Sequence, residues 1–147
     1  MAADSFGGPF IAECVAAAIT GPLAIATPAT VHLAQAPFTP GPSVTLAGIT
    51  EATFDGYSDK TITSFGTVQN LGGGSWGCNS GTVTSWTPTG STTPNTIAGW
   101  VVVDHAGNMV SNGAINPPQV LDGATTTLAL VWGFALTGGV FTSTVLP

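Results

Sequence analysis

Charge is what this sequence has least of. Only 5% of its 147 residues are charged, against about 25% in a typical soluble domain. Lys60 is the one basic residue and arginine is absent. Neutralising nucleic-acid phosphates takes several cations, which excludes direct nucleic-acid binding. Attachment to an anionic membrane surface fails for the same reason. Cysteine is scarce too. Cys14 and Cys78 are too few for a disulfide framework, and neither stands in a CxxC or metal-ligand spacing. Both are read as free thiols in a chain made in a reducing compartment. No N-x-[ST] acceptor occurs. The apolar stretch 10–26 lacks a basic residue before it and is broken by Gly21-Pro22, which suits neither a secretory signal nor a membrane span.

Hydrophobic residues make up 44%, so the core is ordinary and the surface is not. Its polar positions fall to Thr, Ser, Asn and Gln. The net charge of −6 comes from scattered carboxylates and gives some solubility. A surface so poor in charge is weakly protected against self-association. The expectation is therefore a chain whose surface is largely covered in its working state.

The chain reads as a single domain over 1–147, with an N-terminal helix and connector in 1–28 and a β domain in 29–147. Residues 9–19, PFIAECVAAAI, suit a short helix: Pro9 fits a first turn, the alanine run favours helix, and Gly21-Pro22 ends it. Beyond it, predicted strands cover 29–36, 43–46, 61–69, 81–87, 96–103, 108–111 and 125–136, separated by Gly and Pro. The PFTPGP segment at 37–42 holds three prolines, cannot pair as an interior strand, and is read as an extended loop or arm, with the arm taken forward. Residues 70–80 read as a Gly-rich loop around Trp76, and Asn116-Pro117-Pro118 as an interruption. DHAGN, at 104–108, supplies a hairpin turn in which Gly107 takes φ > 0. In the last strand Leu128, Leu130, Trp132, Phe134 and Leu136 share one face. Thr127, Ala129, Val131, Gly133 and Ala135 share the other, which is small and mostly apolar, so both faces are expected to be dry. The fold class is mainly β: an antiparallel sandwich or barrel-like domain with one short helix and a Pro-rich arm.

Chemistry-bearing residues yield to structural readings. Asp104-His105 fits a hairpin turn, where Asp favours the first position, and no nucleophile is placed beside it. Asp55 and Asp59 flank Tyr57 in FDGYSDK; paired carboxylates can hydrolyse glycosides, but Asp55-Gly56 is also an ordinary turn and Asp59-Lys60 a solvated pair. His32, in an apolar run, reads as a hydrogen-bonded strand histidine. His32, His105, Cys14 and Glu13 show no metal-ligand spacing. Gly72-Gly73-Gly74 lacks the Lys-Ser/Thr of a phosphate loop. Trp76 and Trp86 could stack on sugars, though such aromatics more often anchor cores or interfaces. No cofactor, metal or catalytic residue is assigned, and no enzymatic activity.

Four stretches carry a resemblance: T-P-x-P at 39–42, TLAGITEATFDGY at 45–57, WTPTG at 86–90 and GWVVVD at 99–104. Together, over about 30–110, they resemble a group of small structural proteins of tailed bacteriophages. The resemblance implies a virion component, synthesised in the host bacterial cytoplasm, with a capsid cement (decoration) protein as the leading reading. The alternatives are a tail or fibre component contacting the host surface, or a carbohydrate-binding β module. The implied partner is the major capsid protein or another virion protein, alongside a homo-oligomer, with a trimer favoured. Phe38, Pro40, Pro42, Trp76, Val131 and Ala135 are the candidate interface residues, with Phe38 as the anchor of the arm.

Overall fold

The computed structural model describes residues 5–6, 28–63, 69–72, 75–79, 84–90, 95–123, 126–137 and 140–146. Among these residues ten strands run in the order β1 (Ser5–Phe6), β2 (Ala29–Gln35), β3 (Lys60–Ile62), β4 (Gln69–Gly72), β5 (Ser75–Asn79), β6 (Thr84–Trp86), β7 (Asn95–Val103), β8 (Met109–Leu121), β9 (Leu128–Thr137) and β10 (Val140–Leu146). All pairings between strands are antiparallel. One sheet has the order β1-β8-β7-β2-β3. The second has β10-β9-β5-β4, with β6 also paired to β9. The chain is thus mainly β, in two sheets rather than one closed barrel. The expected helix at 9–19 lies outside the described residues.

Among the described residues the main apolar core joins the sheets. Val31, Leu33, Trp100 and Val102 contribute from the first, Leu128, Leu130 and Trp132 from β9, and Trp86 from β6. In β9 Leu128, Leu130 and Trp132 are buried as expected, but the other face is not dry: Gly133 is buried, whereas Ala129 and Val131 stay half-exposed. The strand that is dry on both faces is β7. From Ile97 to Val103 every residue is buried, as its near-continuous apolar run IAGWVVV permits.

The outer face of β7 is covered by residues 36–49, and this corrects the arm expected at 37–42. The segment leaves and rejoins β2 at neighbouring points, because the Gln35 amide donates to the Thr50 carbonyl at 2.8 Å. It is a closed Ω-loop, not a free arm. Phe38 lies over Gly99, where an added Cβ would overlap the ring and stand 2.7 Å from the Gly113 carbonyl. The Asn112 side chain grips the Gly41 peptide from both sides, accepting from its N–H at 2.9 Å and donating to its carbonyl at 3.0 Å. Phe38, Val44, Leu46 and Ile49 pack on buried Val101, Val103 and Met109. The strand expected at 43–46 is absent; that stretch is loop leading into a 3-10 turn at Leu46–Gly48.

Two further expectations change. The Gly-rich 70–80 stretch forms the β4–β5 pair. Asn116-Pro117-Pro118 does not end its strand: β8 resumes pairing at Gln119 opposite Ile97, having left Ala114 opposite Gly99. Residues 115–118 form a bulge in which Ile115 packs against the core while Asn116, Pro117 and Pro118 are exposed, the tolerated place for prolines in a sheet. The 104–108 hairpin turn forms as expected. Gly107 has φ 82°, and Asp104 Oδ1 accepts the Ala106 and Asn108 amides at 2.9 and 2.8 Å.

Phe38→Ala removes the ring that seals the loop over Gly99. A fully buried phenylalanine costs about 3–5 kcal/mol on truncation; the half-buried Phe38 should cost about 1–3 kcal/mol. Urea unfolding of the isolated protein checks this, since an arm anchored only on a neighbour would leave its stability unchanged.

Candidate functional site

Beyond Val31, β2 loses β3 as its neighbour. The register pairs Val31 with Lys60, and the preceding chain meets β2 again only where the Ala52 amide donates to the Leu33 carbonyl at 3.0 Å. Residues 53–59 between them leave the ladder opposite His32. Without them the Leu33 N–H would be unpaired, a cost of about 1–3 kcal/mol for a buried donor. The excursion returns a side chain to fill the gap: the Leu33 amide donates to the Tyr57 hydroxyl at 3.1 Å.

That hydroxyl starts a chain of bonds. It donates to Glu51 Oε1 at 2.7 Å, and His32 Nδ1 meets the same oxygen at 2.7 Å. An ionised carboxylate only accepts, so Nδ1 carries a hydrogen. On the other side of the ring, Nε2 lies 3.0 Å from Thr30 Oγ1. Hydroxyl, imidazole and carboxylate therefore stand in the order that can activate a nucleophile. His32 is buried, and the carboxylate oxygen that holds it is shared with a phenol already bonded to the backbone. What the arrangement does is fasten the excursion to β2.

The excursion in turn fastens the two sheets. Phe54 is in the core and meets Tyr57 edge-to-face, with ring centroids 5.3 Å apart. The turn between them depends on Gly56 at φ 84°, where a Cβ would also stand 2.7 Å from Thr89 Cγ2. The Asp55 carbonyl accepts the Thr89 amide at 2.9 Å, and buried Trp86 donates its Nε1–H to the Ser58 carbonyl at 2.8 Å. TEATFDGY and WTPTG, two of the stretches behind the resemblance, are thus halves of one clasp. No protein-family model, characterised protein or solved structure matches the chain.

Electrostatics follow from these contacts. Burial alone would raise the Glu51 carboxyl, but the hydrogen bonds from Tyr57 and His32 outweigh it and hold the group below its ordinary value. Burial pushes the Tyr57 phenol well above its usual 10.0, and its bond to Glu51 adds to the rise. Burial would likewise raise Asp104, yet bonds from the Asn108 side chain and from the Asn108 and Ala106 amides hold it below 3.8. Among the described residues no group of three or more His, Cys, Asp or Glu could hold a metal ion. No described helix is long and apolar enough to cross a membrane.

The candidate interface residues do not gather in one place. Phe38, half-buried Pro40 and exposed Pro42 belong to the Ω-loop on the first sheet. Val131 and Ala135 lie on β9 and Trp76 on β5, in the second; the side chains of Trp76 and Ala135 are outside the described residues. Trp86 is committed to the core and to Ser58, so it offers no face to a sugar. His32 is the hydrogen-bonded strand histidine expected. Its partners Glu51 and Tyr57 escaped the search for paired carboxylates, which fixed on Asp55 and Asp59 instead.

Tyr57→Phe leaves the Leu33 amide unpaired and should cost about 1–3 kcal/mol in urea unfolding. The pH profile should fall on both sides. Glu51 and Asp104 hold their protons less tightly when folded, so their contribution is present above the ordinary 4.5 and 3.8 and is lost as pH drops through the lower folded values. Tyr57 acts oppositely: its contribution is complete below 10.0 and is lost as pH climbs towards the higher folded value. Glu51→Gln should flatten the acid limb, read as melting temperature against pH.

Proposed function

We propose that the chain is a structural component of a virus particle, a capsid cement protein that stabilises a shell through protein–protein contacts. The observation carrying this reading is where the polar chemistry goes. The titratable groups that come together, His32, Glu51 and Tyr57, are spent on holding the fold, and what faces outward is mostly uncharged. Thr39, Ser43, Thr45, Thr50, Thr53, Ser58, Thr61, Ser85 and Thr87 are exposed, while the exposed carboxylates among the described residues are Asp55, Asp59 and Asp122. Hydroxyl and amide groups exchange water for protein partners at little cost, whereas each charge buried in an assembly carries a desolvation penalty. The resemblance of the 45–57 and 86–90 stretches to tailed-phage structural proteins points the same way and supplies the shell as the partner.

The test is cosedimentation of the purified protein with capsids stripped of it. Binding should saturate at a fixed number of copies per particle. It should also survive 1 M NaCl, where screening acts over about 3 Å, because attachment rests on apolar burial and hydrogen bonds. No saturable binding, or release by salt alone, would overturn the proposal.

A further inference from the structure

Asn112 is followed by Gly113, and the pair carries a chemistry that the fold holds in check. In a free peptide the nitrogen of the residue after an asparagine can attack the side-chain amide carbon. Glycine is the follower that permits this best, because it has no Cβ to block the approach and the widest backbone freedom. Here the pair is restrained on every side. Asn112 is 0% exposed and Gly113 is buried. Both lie inside β8, opposite Val101 and Trp100. The Asn112 side chain is engaged with Gly41 of the Ω-loop, accepting from its N–H at 2.9 Å and donating to its carbonyl at 3.0 Å. While both bonds stand, the amide carbon cannot swing back onto the Gly113 nitrogen.

We infer that Asn112 is a latent modification site, a deamidation site that the Ω-loop holds closed and whose conversion undocks the loop irreversibly. In the reaction the Gly113 nitrogen forms a bond to Asn112 Cγ, and the Cγ–Nδ2 bond breaks. Ammonia leaves with the proton of the Gly113 nitrogen. Water then opens the cyclic imide to aspartate or isoaspartate. Neither product fits the site. An ionised carboxylate still accepts the Gly41 N–H but cannot donate to the Gly41 carbonyl. It also places a charge in a buried position, and the chain's one lysine, Lys60, stands on β3, on the far side of β7 and β2. Isoaspartate adds a methylene to the backbone inside a paired strand, which puts the ladder beyond it out of step. A transient opening of the loop thus becomes a permanent one.

The same stretch contains its own controls. Asn116 precedes Pro117, whose nitrogen has no hydrogen to lose, and Asn108 precedes Met109, whose side chain hinders the attack. Cleavage before Asp104 and Asp122 releases all three asparagines on one peptide. The full chain is incubated in mildly alkaline buffer with and without urea, and that peptide is sequenced by mass spectrometry at intervals. Asn112 should deamidate faster than Asn108 in urea, and about tenfold or more slower in the native protein, where openings are rare. Phe38→Ala, which loosens the loop, should speed the native reaction several-fold. Tyr57→Phe, a comparable loss of stability at the other edge of the sheet, should not. Asn112→Asp should melt below the parent chain. Equal rates at Asn112 with and without urea, no preference for Asn112 over Asn108 in urea, or the same native rate in the Phe38→Ala and Tyr57→Phe variants would each overturn the gating by the loop. An Asn112→Asp variant that melts with the parent would overturn the undocking.

Discussion

The fold depends on one backbone amide that its sheet cannot pair. β2 is flanked by β3 only as far as Val31, and beyond that its Leu33 N–H faces a gap. A main-chain donor left in such a place costs more than a typical hydrogen bond contributes. The solution is a tyrosine hydroxyl brought back by a seven-residue detour, and much else follows from that choice. A phenol held at a strand edge needs an acceptor for its own proton, which Glu51 supplies. A carboxylate next to a buried strand needs further donors, which His32 supplies. The detour must turn sharply, so Gly56 adopts a left-handed conformation. It must also be kept in place, so Phe54 enters the core while Trp86 and Thr89 hold the detour's backbone. Tyr57, Glu51 and His32 are joined through shared hydrogen-bond partners, and Trp86 bonds the detour at Ser58, which is why they form a unit and not a list of separate contacts.

That dependence explains what the sequence alone could and could not reveal. Strands β2 and β7 were legible within a residue because apolar runs bounded by Gly, Pro and turn residues are enough to define them. The β7–β8 hairpin was legible because DHAGN carries its own turn chemistry in the Asp104 carboxylate and Gly107. Both-face burial was sought in β9, where small residues alternate with large ones. It occurs in β7, whose unbroken IAGWVVV run carries the simpler signal. The tyrosine clasp was not legible by inspection for catalytic spacing, because its members work through backbone atoms. Glu51, Tyr57 and Leu33 are related by a gap in a sheet, and a gap has no sequence signature. Strand β5 was hidden by its glycines, which read as loop, and β8 by prolines that interrupt pairing without ending the strand.

The two proline-rich segments show how one composition serves opposite ends. Proline removes a donor and fixes φ in both, so neither segment can join a ladder. In 37–42 the missing donors are harmless because the segment lies flat on a sheet face, fastened by Phe38 over a residue without a side chain and by the Asn112 amide around Gly41. In 115–118 the prolines face outward from a sheet, and the same loss of donors keeps the bulge from closing back into β8. The difference lies in the receiving surface. Gly99 and Asn112 make a seat for the whole of one segment, whereas in the other Ile115 packs against the core and Pro117 and Pro118 stay exposed.

A surface of threonine, serine, proline and little charge would be a liability for a protein that must stay alone in solution. For one that is to be buried it is an advantage. Ion pairs fix an interface strongly only where both charges meet their partners; a stranded charge costs more than a stranded hydroxyl. On the proposed cement role, a shell that offers many nearly equivalent positions would present each bound copy with slightly different surroundings. A neutral polar surface adapts to such variation by rotating hydroxyls and admitting bridging waters, with no charge left unpaired at the poorer fits. The rigid part of the molecule can then be internal, in the clasp that ties the sheets, while the contacting part remains tolerant. Among the described residues, the few carboxylates either do structural work, as at Asp104 and Glu51, or stand exposed, as at Asp55, Asp59 and Asp122. In this chain the scarcity of charge and the internal use of its titratable side chains are two aspects of the same constraint.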